Sequence, residues 1–389
     1  MAIDFSDREL IRDPYPVLAR LREQGPVSWH APSRMWLAAS HATVQTVLRD
    51  RRLGRIWRDR EPAGRYAPFN LLHRHQMMEN EPPAHTRLRS LVASAFGRGH
   101  VTRLGPAIAA RARELLSAQD GTFDLLADFA EPLAVDVIAE LLGVPVADRH
   151  LLRPWSAAIV RMYEPSRTPA VEDAALRASA DFAAYMRSLA DLRRREPRED
   201  LMTHLTGVRD GSDRLSEDEL VASAILLLNA GHEASVNALG GGWVALTRHP
   251  GQLARVRADR SLVPSTVEEM IRYDPPLHLF VRTAVSDVEV GGVTVPAGGQ
   301  IAALLGAANR DPLVFADPDR FDAARDPNPH VGFGAGLHFC LGAPLARLEL
   351  QAGLTALLDT PVTLAEEPEQ RPTFVLRAYR RILVRHSRI

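Results

Sequence analysis

Between Ser216 and Arg248 the chain carries no proline, and this run limits the fold more than any other feature of the sequence. Ser216, Asp218 and Glu219 form a helix start at its head. Some thirty residues of helix would run about 45 Å. Leu220, Ile225, Leu226, Leu227 and Leu228 make it apolar on nearly every side, so it must be buried within the molecule. The first two-thirds of the chain supplies elements to cover it. Residues 14–23, 41–49, 84–96, 103–117, 131–142 and 171–195 carry apolar side chains at helical spacing. Beyond Arg272 the texture changes. Val288 to Val295 reads as two short strands turning at Gly291-Gly292. Residues 310–339, rich in Pro, Gly, Asp and Asn, read as a long loop with a function. It leads into Cys340 and then a helix from about Leu341 to Leu358. No internal repeat or linker interrupts the chain, so the expectation is a mainly α protein with a small β region, one domain over 1–389.

Composition removes several classes of function. A formal net charge of -1 argues against nucleic-acid binding. No segment approaches the ~18 consecutive apolar residues of a membrane span, and the start lacks the basic flank and apolar stretch of a secretory signal. These readings predict a cytoplasmic protein with no membrane or nucleic-acid partner. All 47 basic residues are arginine, which excludes Schiff-base chemistry and Walker-type phosphate loops, since both need lysine. One cysteine allows no disulfide, all-cysteine zinc site or iron–sulfur cluster.

That cysteine lies in Phe333-Gly334-Ala335-Gly336-Leu337-His338-Phe339-Cys340-Leu341-Gly342-Ala343-Pro344. Most lone cysteines are inert core residues, but these surroundings are unusual. Gly334, Gly336 and Gly342 permit backbone conformations and close approaches that a side chain would block. Pro344 falls in the first turn of the following helix. Cys340 therefore precedes a helix N-terminus, where the dipole stabilises a thiolate. A phosphate cradle is excluded, because the glycines miss the G-x-G-x-x-G spacing and no apolar strand precedes them.

The pattern Phe-Gly-x-Gly-x-His-x-Cys-x-Gly, intact from Phe333 to Gly342, resembles the signature of the cytochrome P450 family. The resemblance extends over roughly residues 10 to 386. It implies the P450 fold, with haem b between the long helix and the helix after the cysteine loop, and Cys340 as the iron ligand. Glu269 and Arg272 match the family's Glu-x-x-Arg motif, which Arg325 completes as a structural lock. His85, Arg89, Arg282 and His338 match positions that bind the haem propionates. Phe333, Gly231 and Gly342 complete the haem-contacting set.

The long helix carries Ala230-Gly231-His232-Glu233-Ala234-Ser235. Glu233 would be costly to bury without a partner and is read as handling protons. The family's usual threonine after the acid is replaced by Ala234, and Ser235 lies ~100° further round the helix. Proton delivery is therefore expected through water held by Glu233, Ser235 or a substrate hydroxyl. Substrate is expected to touch Ala230, the loop His278-Leu279-Phe280-Val281, Phe374-Val375 and the 65–78 region, where Phe69, Leu71 and Leu72 are apolar.

The function implied is a haem-thiolate monooxygenase placing one oxygen atom from O2 on a lipophilic small molecule, as a hydroxylation or epoxidation tailoring a natural product. Alternatives on the same scaffold are oxidative coupling, peroxide-driven oxidation or non-catalytic haem binding. Electrons would come from NAD(P)H through an external ferredoxin and ferredoxin reductase, because the chain has no flavin or iron–sulfur motif. The ferredoxin would dock near Arg87, Arg98 and Arg347 on a monomer.

Overall fold

The computed structural model describes residues 3–93, 98–163, 167–209 and 213–386, with the side chains of 98–100 outside the description. The proline-free run is one helix, Glu217–Thr247, of 31 residues. Its start is a capping box. The Ser216 N–H donates to Glu219 Oε2 at 2.8 Å, and the Glu219 N–H donates to Ser216 Oγ at 3.2 Å, satisfying two donors that the first turn would leave open. The helix is buried through most of its length. Its middle is the exception: Ala230 is exposed, and Asn229, Gly231, Glu233 and Ala234 are partly so.

The contacts within the chain separate two compact units, divided between Glu233 and Ala234 of this helix. One comprises Arg55–Arg103 and Ala134–Glu233 and is built from helices. The 27-residue helix Pro169–Arg195 is its spine, packed by Ala63–Arg74, Arg149–Val160 and Leu201–Gly207. Near the end of the spine Arg193 pairs with Asp200 out of solvent and donates to the Gly143 carbonyl. Helix Ala84–Ala93 also belongs to this unit.

The other unit comprises the chain up to Gly54, Leu104–Leu133, and everything from Ala234 onward. Its mixed five-stranded sheet runs in the order Val27–His30, Met35–Ala38, Gln300–Leu304, Leu279–Ala284, Leu53–Gly54. Met35–Ala38 runs parallel to Gln300–Leu304 with Trp36 opposite Ile301, and Arg282 faces the same Ile301 from the antiparallel side. The hairpin Val288–Val290/Val293–Val295 turns at Gly291 and Gly292, both at positive φ, as a two-residue type I′ turn requires. A three-stranded sheet joins Thr122–Asp124, Leu383–His386 and Val362–Leu364.

The C-terminal half of the long helix is packed inside this unit at very short range. A Cβ at Gly240 would lie 2.4 Å from Leu126, and one at Gly242 would lie 2.1 Å from Met270. Glycine costs a helix about 1 kcal/mol relative to alanine, and here that cost allows the close approach.

The sequence-based helices over 14–23, 41–49, 131–142 and 171–195 correspond to Tyr15–Gln24, His41–Arg49, Glu131–Leu142 and Pro169–Arg195. The 84–96 segment is helical to Ala93, with 94–96 outside the described residues, and the 103–117 segment begins earlier, at Arg98. The helix after the cysteine starts at Ala343, two residues later than expected, because Gly342 takes the N-cap position. The five-stranded sheet and the helix Arg149–Val160 were not anticipated.

Candidate functional site

Cys340 sits in a loop held by its own backbone. The Cys340 N–H donates to the Phe333 carbonyl at 3.0 Å, Phe339 N–H to Gly336 O at 3.1 Å, and Gly334 N–H to Val331 O at 2.8 Å. Gly334 and Gly336 take φ values of +71° and +69°, and a Cβ on Gly336 would lie 2.4 Å from the Leu48 carbonyl oxygen. Glycine is therefore required at 336 both by conformation and by the neighbouring helix His41–Arg49. The loop ends at Gly342, the N-cap of helix Ala343–Asp359, with Pro344 in its first turn. Cys340 is half-buried, and its sulfur is presented beside the positive end of a 17-residue helix.

Strand Leu279–Ala284 carries Arg282 to the same region. Phe280 and Ala284 belong to the core that includes Leu48 and Ala335 of the cysteine loop, whereas Leu279 and Val281 pack with Phe374. Side chains alternate along a strand, so Arg282 lies on the face that looks towards the cysteine loop. It is buried, beside the ring of Phe280 at 5.8 Å. His338, on the short 3-10 turn Gly336–His338, is half-buried in the same unit. In the helical unit His85 and Arg89 share one face of helix Ala84–Ala93, with His85 buried and Arg89 half-buried.

The three lock residues are brought together. Arg272 holds Glu269 with two hydrogen bonds of 2.7 and 2.8 Å, and both side chains are fully buried. Arg325 Nε reaches the same carboxylate at 3.1 and 3.2 Å, and the Asp322 N–H donates to it at 2.8 Å. Arg272 also donates to the carbonyls of Asn309 and Pro318. The long loop before Cys340 is thus fixed to helix Val263–Tyr273, with one buried carboxylate shared by two arginines whose remaining donors go to backbone carbonyls.

On the long helix, Ala230, Glu233 and Ala234 form one accessible stripe at i, i+3 and i+4. Gly231 turns towards Ile138, and a methyl group there would make only ordinary contact at 3.5 Å. Ser235 points elsewhere. It is buried and hydrogen-bonded to Glu349, on helix Ala343–Asp359. Burial pushes the Glu349 carboxyl up to about 8, against the lowering effect of the Ser235 bond. Sequence reasoning missed Glu349. The available signal was its place on the apolar stripe Leu345, Glu349, Gly353, Leu357, where a carboxylate does not belong.

The expected substrate surface divides. Ala230 and Val375 are exposed, Phe280 is partly accessible, and Leu279 is buried. Phe69 is fully buried, stacked on His73 at 4.1 Å and beneath Arg60 at 4.9 Å. His278 is also buried, its ring 5.4 Å from Phe374 and its Nε2 3.7 Å from Asp274, and burial lowers its basicity. An apolar or aromatic loop residue reads alike in sequence whether it faces a ligand or the core. The expected docking arginines differ too. Arg87 pairs with Glu219 and Arg347 with Glu268, while the Arg98 side chain lies outside those described.

These residues fit a haem. Among the described residues no group of three or more His, Cys, Asp or Glu gathers to chelate an ion. A metal already held by a macrocycle needs only one protein ligand, which the glycine-lined loop offers in Cys340. Arg282 supplies a cation, and His338 a ring nitrogen able to hydrogen-bond, on the loop's side for carboxylate groups.

Comparison with known proteins agrees. The family profile described as cytochrome P450 matches residues 175–373. The chain is 40% identical over 368 residues to cytochrome P450 monooxygenase PikC of Streptomyces venezuelae, covering 92% of this chain and 86% of the relative. It is 39% identical to the 6-deoxyerythronolide B hydroxylase of Saccharopolyspora erythraea, covering 89% and 88%. The crystal structure of P450BioI in complex with hexadec-9Z-enoic acid ligated acyl carrier protein superposes with a TM-score of 0.92 at 34% identity, covering 97% of this chain and all of that one.

Proposed function

Because this chain belongs to the cytochrome P450 family, we propose that Cys340 is the thiolate ligand of its haem iron and that His85, Arg89, Arg282 and His338 hold the propionates. Members of the family are oxidoreductases that use haem iron and electrons from NAD(P)H passed through redox partners, and this chain is such a monooxygenase. The observation that carries the site assignment is the cysteine loop, with its sulfur held beside a helix N-terminus by backbone bonds and positive-φ glycines. When bound, the haem supplies activation of O2 and delivery of one oxygen atom to a C–H or C=C bond.

The chain's own residues bind, orient and move protons. Glu349 is held protonated near neutral pH by burial and is hydrogen-bonded to Ser235, so the pair is a buried proton store against the long helix. Glu233, partly exposed on the accessible stripe of the long helix, is the proton-handling group on that side in this reading. Ala234 has no hydroxyl, and ordered water or a hydroxyl of the substrate closes the gap on that side. Of the residues we propose to touch substrate, Ala230, Phe280 and Val375 are accessible, whereas Leu279, Phe69 and His278 are buried.

The substrate class we propose is a lipophilic natural product, hydroxylated or epoxidised in a tailoring step. PikC and 6-deoxyerythronolide B hydroxylase support this reading by their likeness. The electron donors would be a ferredoxin and its reductase, acting on a cytoplasmic monomer. Among the described residues no helix is long and apolar enough to cross a membrane. Both compact units act as one domain in this reading, supported by relatives that match across them.

The test is incorporation of 18O from O2 into product, with turnover driven by NAD(P)H, a ferredoxin and a ferredoxin reductase. Label in the product at one atom per molecule is expected. Product without label would favour oxidative coupling or a peroxide-driven reaction, the second reading, which rests on Ala234 standing where the family has threonine.

A further inference from the structure

Helix Val263–Tyr273 carries two adjacent acids that serve different structures. Glu269 closes the lock, whereas Glu268 reaches the cysteine loop and the helix beyond it. Arg347, two turns past Cys340, donates from Nε to Glu268 Oε1 at 2.7 Å and from Nη2 to Oε2 at 2.8 Å, a bidentate pair of fixed geometry. His330 Nδ1 accepts from the Gly332 N–H at 3.1 Å, which leaves Nε2 to donate to Glu268 at 3.0 Å. Burial alone would raise the Glu268 carboxyl, but the bonds from Arg347 and His330 overcome it and hold it at about 2. The other face of the Arg347 guanidinium lies over the Phe333 ring, 4.5 Å from its centre, and the Phe333 carbonyl accepts the Cys340 N–H at 3.0 Å. Through Phe333 the Arg347 guanidinium is held at the cysteine loop, where its charge is felt electrostatically at Cys340. A cation clamped by a carboxylate and an aromatic ring lacks the freedom of a surface docking residue.

We infer that Arg347, clamped between Glu268 and Phe333, is a positioning residue for Cys340 that fixes a positive charge beside the sulfur and so favours electron uptake at the metal it binds. This rests on the reading that Cys340 carries the haem. Uptake of one electron adds one negative charge at the iron–sulfur bond, and a fixed cation nearby stabilises that state. Glu268 opposes the effect while holding the fork in place.

The test is the reduction potential of the substrate-free haem protein, measured by dye-mediated titration in wild type, Arg347→Gln, Arg347→Lys and Glu268→Gln. Arg347→Gln is expected to shift the equilibrium towards the oxidised form by about tenfold, which is about 59 mV for one electron. Arg347→Lys keeps the charge and should recover most of that loss. Glu268→Gln leaves one acceptor for the fork but removes the opposing charge, so it should shift the potential upward. If Arg347→Gln does not retain haem, Glu268→Gln carries the test: a potential above that of the wild type is expected, and an unchanged or lower one would overturn the inference. An unchanged potential in Arg347→Gln, or a fall in both Arg347→Gln and Glu268→Gln, would overturn the inference. Failure of the underlying reading is separate, because the wild type itself would then lack thiolate-bound haem.

Discussion

Replacing Glu349 by glutamine tests a buried carboxyl whose ionisation is strongly displaced. The side chain is buried on helix Ala343–Asp359, and its carboxyl is raised from the ordinary 4.5 to about 8 by loss of solvent. The folded protein therefore holds a proton over a pH range in which the unfolded chain has released it. Stability is full below about pH 4.5 and falls as pH rises towards about 8. The slope reaches about 1.4 kcal/mol per pH unit, and across the window the loss is on the order of 4 kcal/mol. Glutamine keeps a partner for Ser235 but does not titrate. Urea unfolding of both proteins at several values between pH 5 and 8, followed by far-ultraviolet circular dichroism, gives the difference in stability at each pH. Other titrating groups are common to both proteins and cancel. The difference should move in favour of Glu349→Gln as pH rises, by on the order of 4 kcal/mol over the series. Parallel stability profiles would mean that Glu349 ionises normally, and the proton store proposed beside Ser235 would have no basis.

Three further outcomes follow from the geometry. Glu269→Ala leaves the fully buried Arg272 without its carboxylate, which should cost about 3–5 kcal/mol in unfolding free energy and lower haem content; a loss under 1 kcal/mol would contradict the lock. Gly242→Ala drives a methyl group against the Cβ as well as the sulfur end of Met270, so urea denaturation should show a net loss of about 1–2 kcal/mol after the gain in helix propensity, whereas Gly231→Ala, facing Ile138 at 3.5 Å, should be neutral or slightly stabilising. Ala234→Thr should change the ratio of product formed to NAD(P)H consumed; an unchanged ratio with every substrate tried would remove hydroxyl placement on the long helix as a determinant of proton delivery.

What could be read from the sequence was whatever depends on neighbours in the chain. The capping box at Ser216 and Glu219, the hairpin at Gly291-Gly292 and the cysteine loop are all encoded within a few residues. The five-stranded sheet was hidden because its strands are short and pair across great separations, as when Trp36 meets Ile301. The partners of charged residues were hidden for the same reason. Arg347 reads as a surface cation until Glu268, 79 positions away, closes on it. Glu349 stands out in sequence only as an acid on an apolar stripe, and its partner Ser235 emerges once the two helices pack. Phe69 and His278 were apolar and aromatic in a region that touches substrate by resemblance, and only packing reveals that their side chains point into the core.

The measurement that tests the central claim most directly is the absorption spectrum of the reduced protein under carbon monoxide, in wild type and Cys340→Ala. The account predicts the strongly red-shifted Soret band of thiolate-bound haem in the wild type and its loss in the variant. A purified wild-type protein with no haem band, or a variant that retains the red-shifted band, would contradict it.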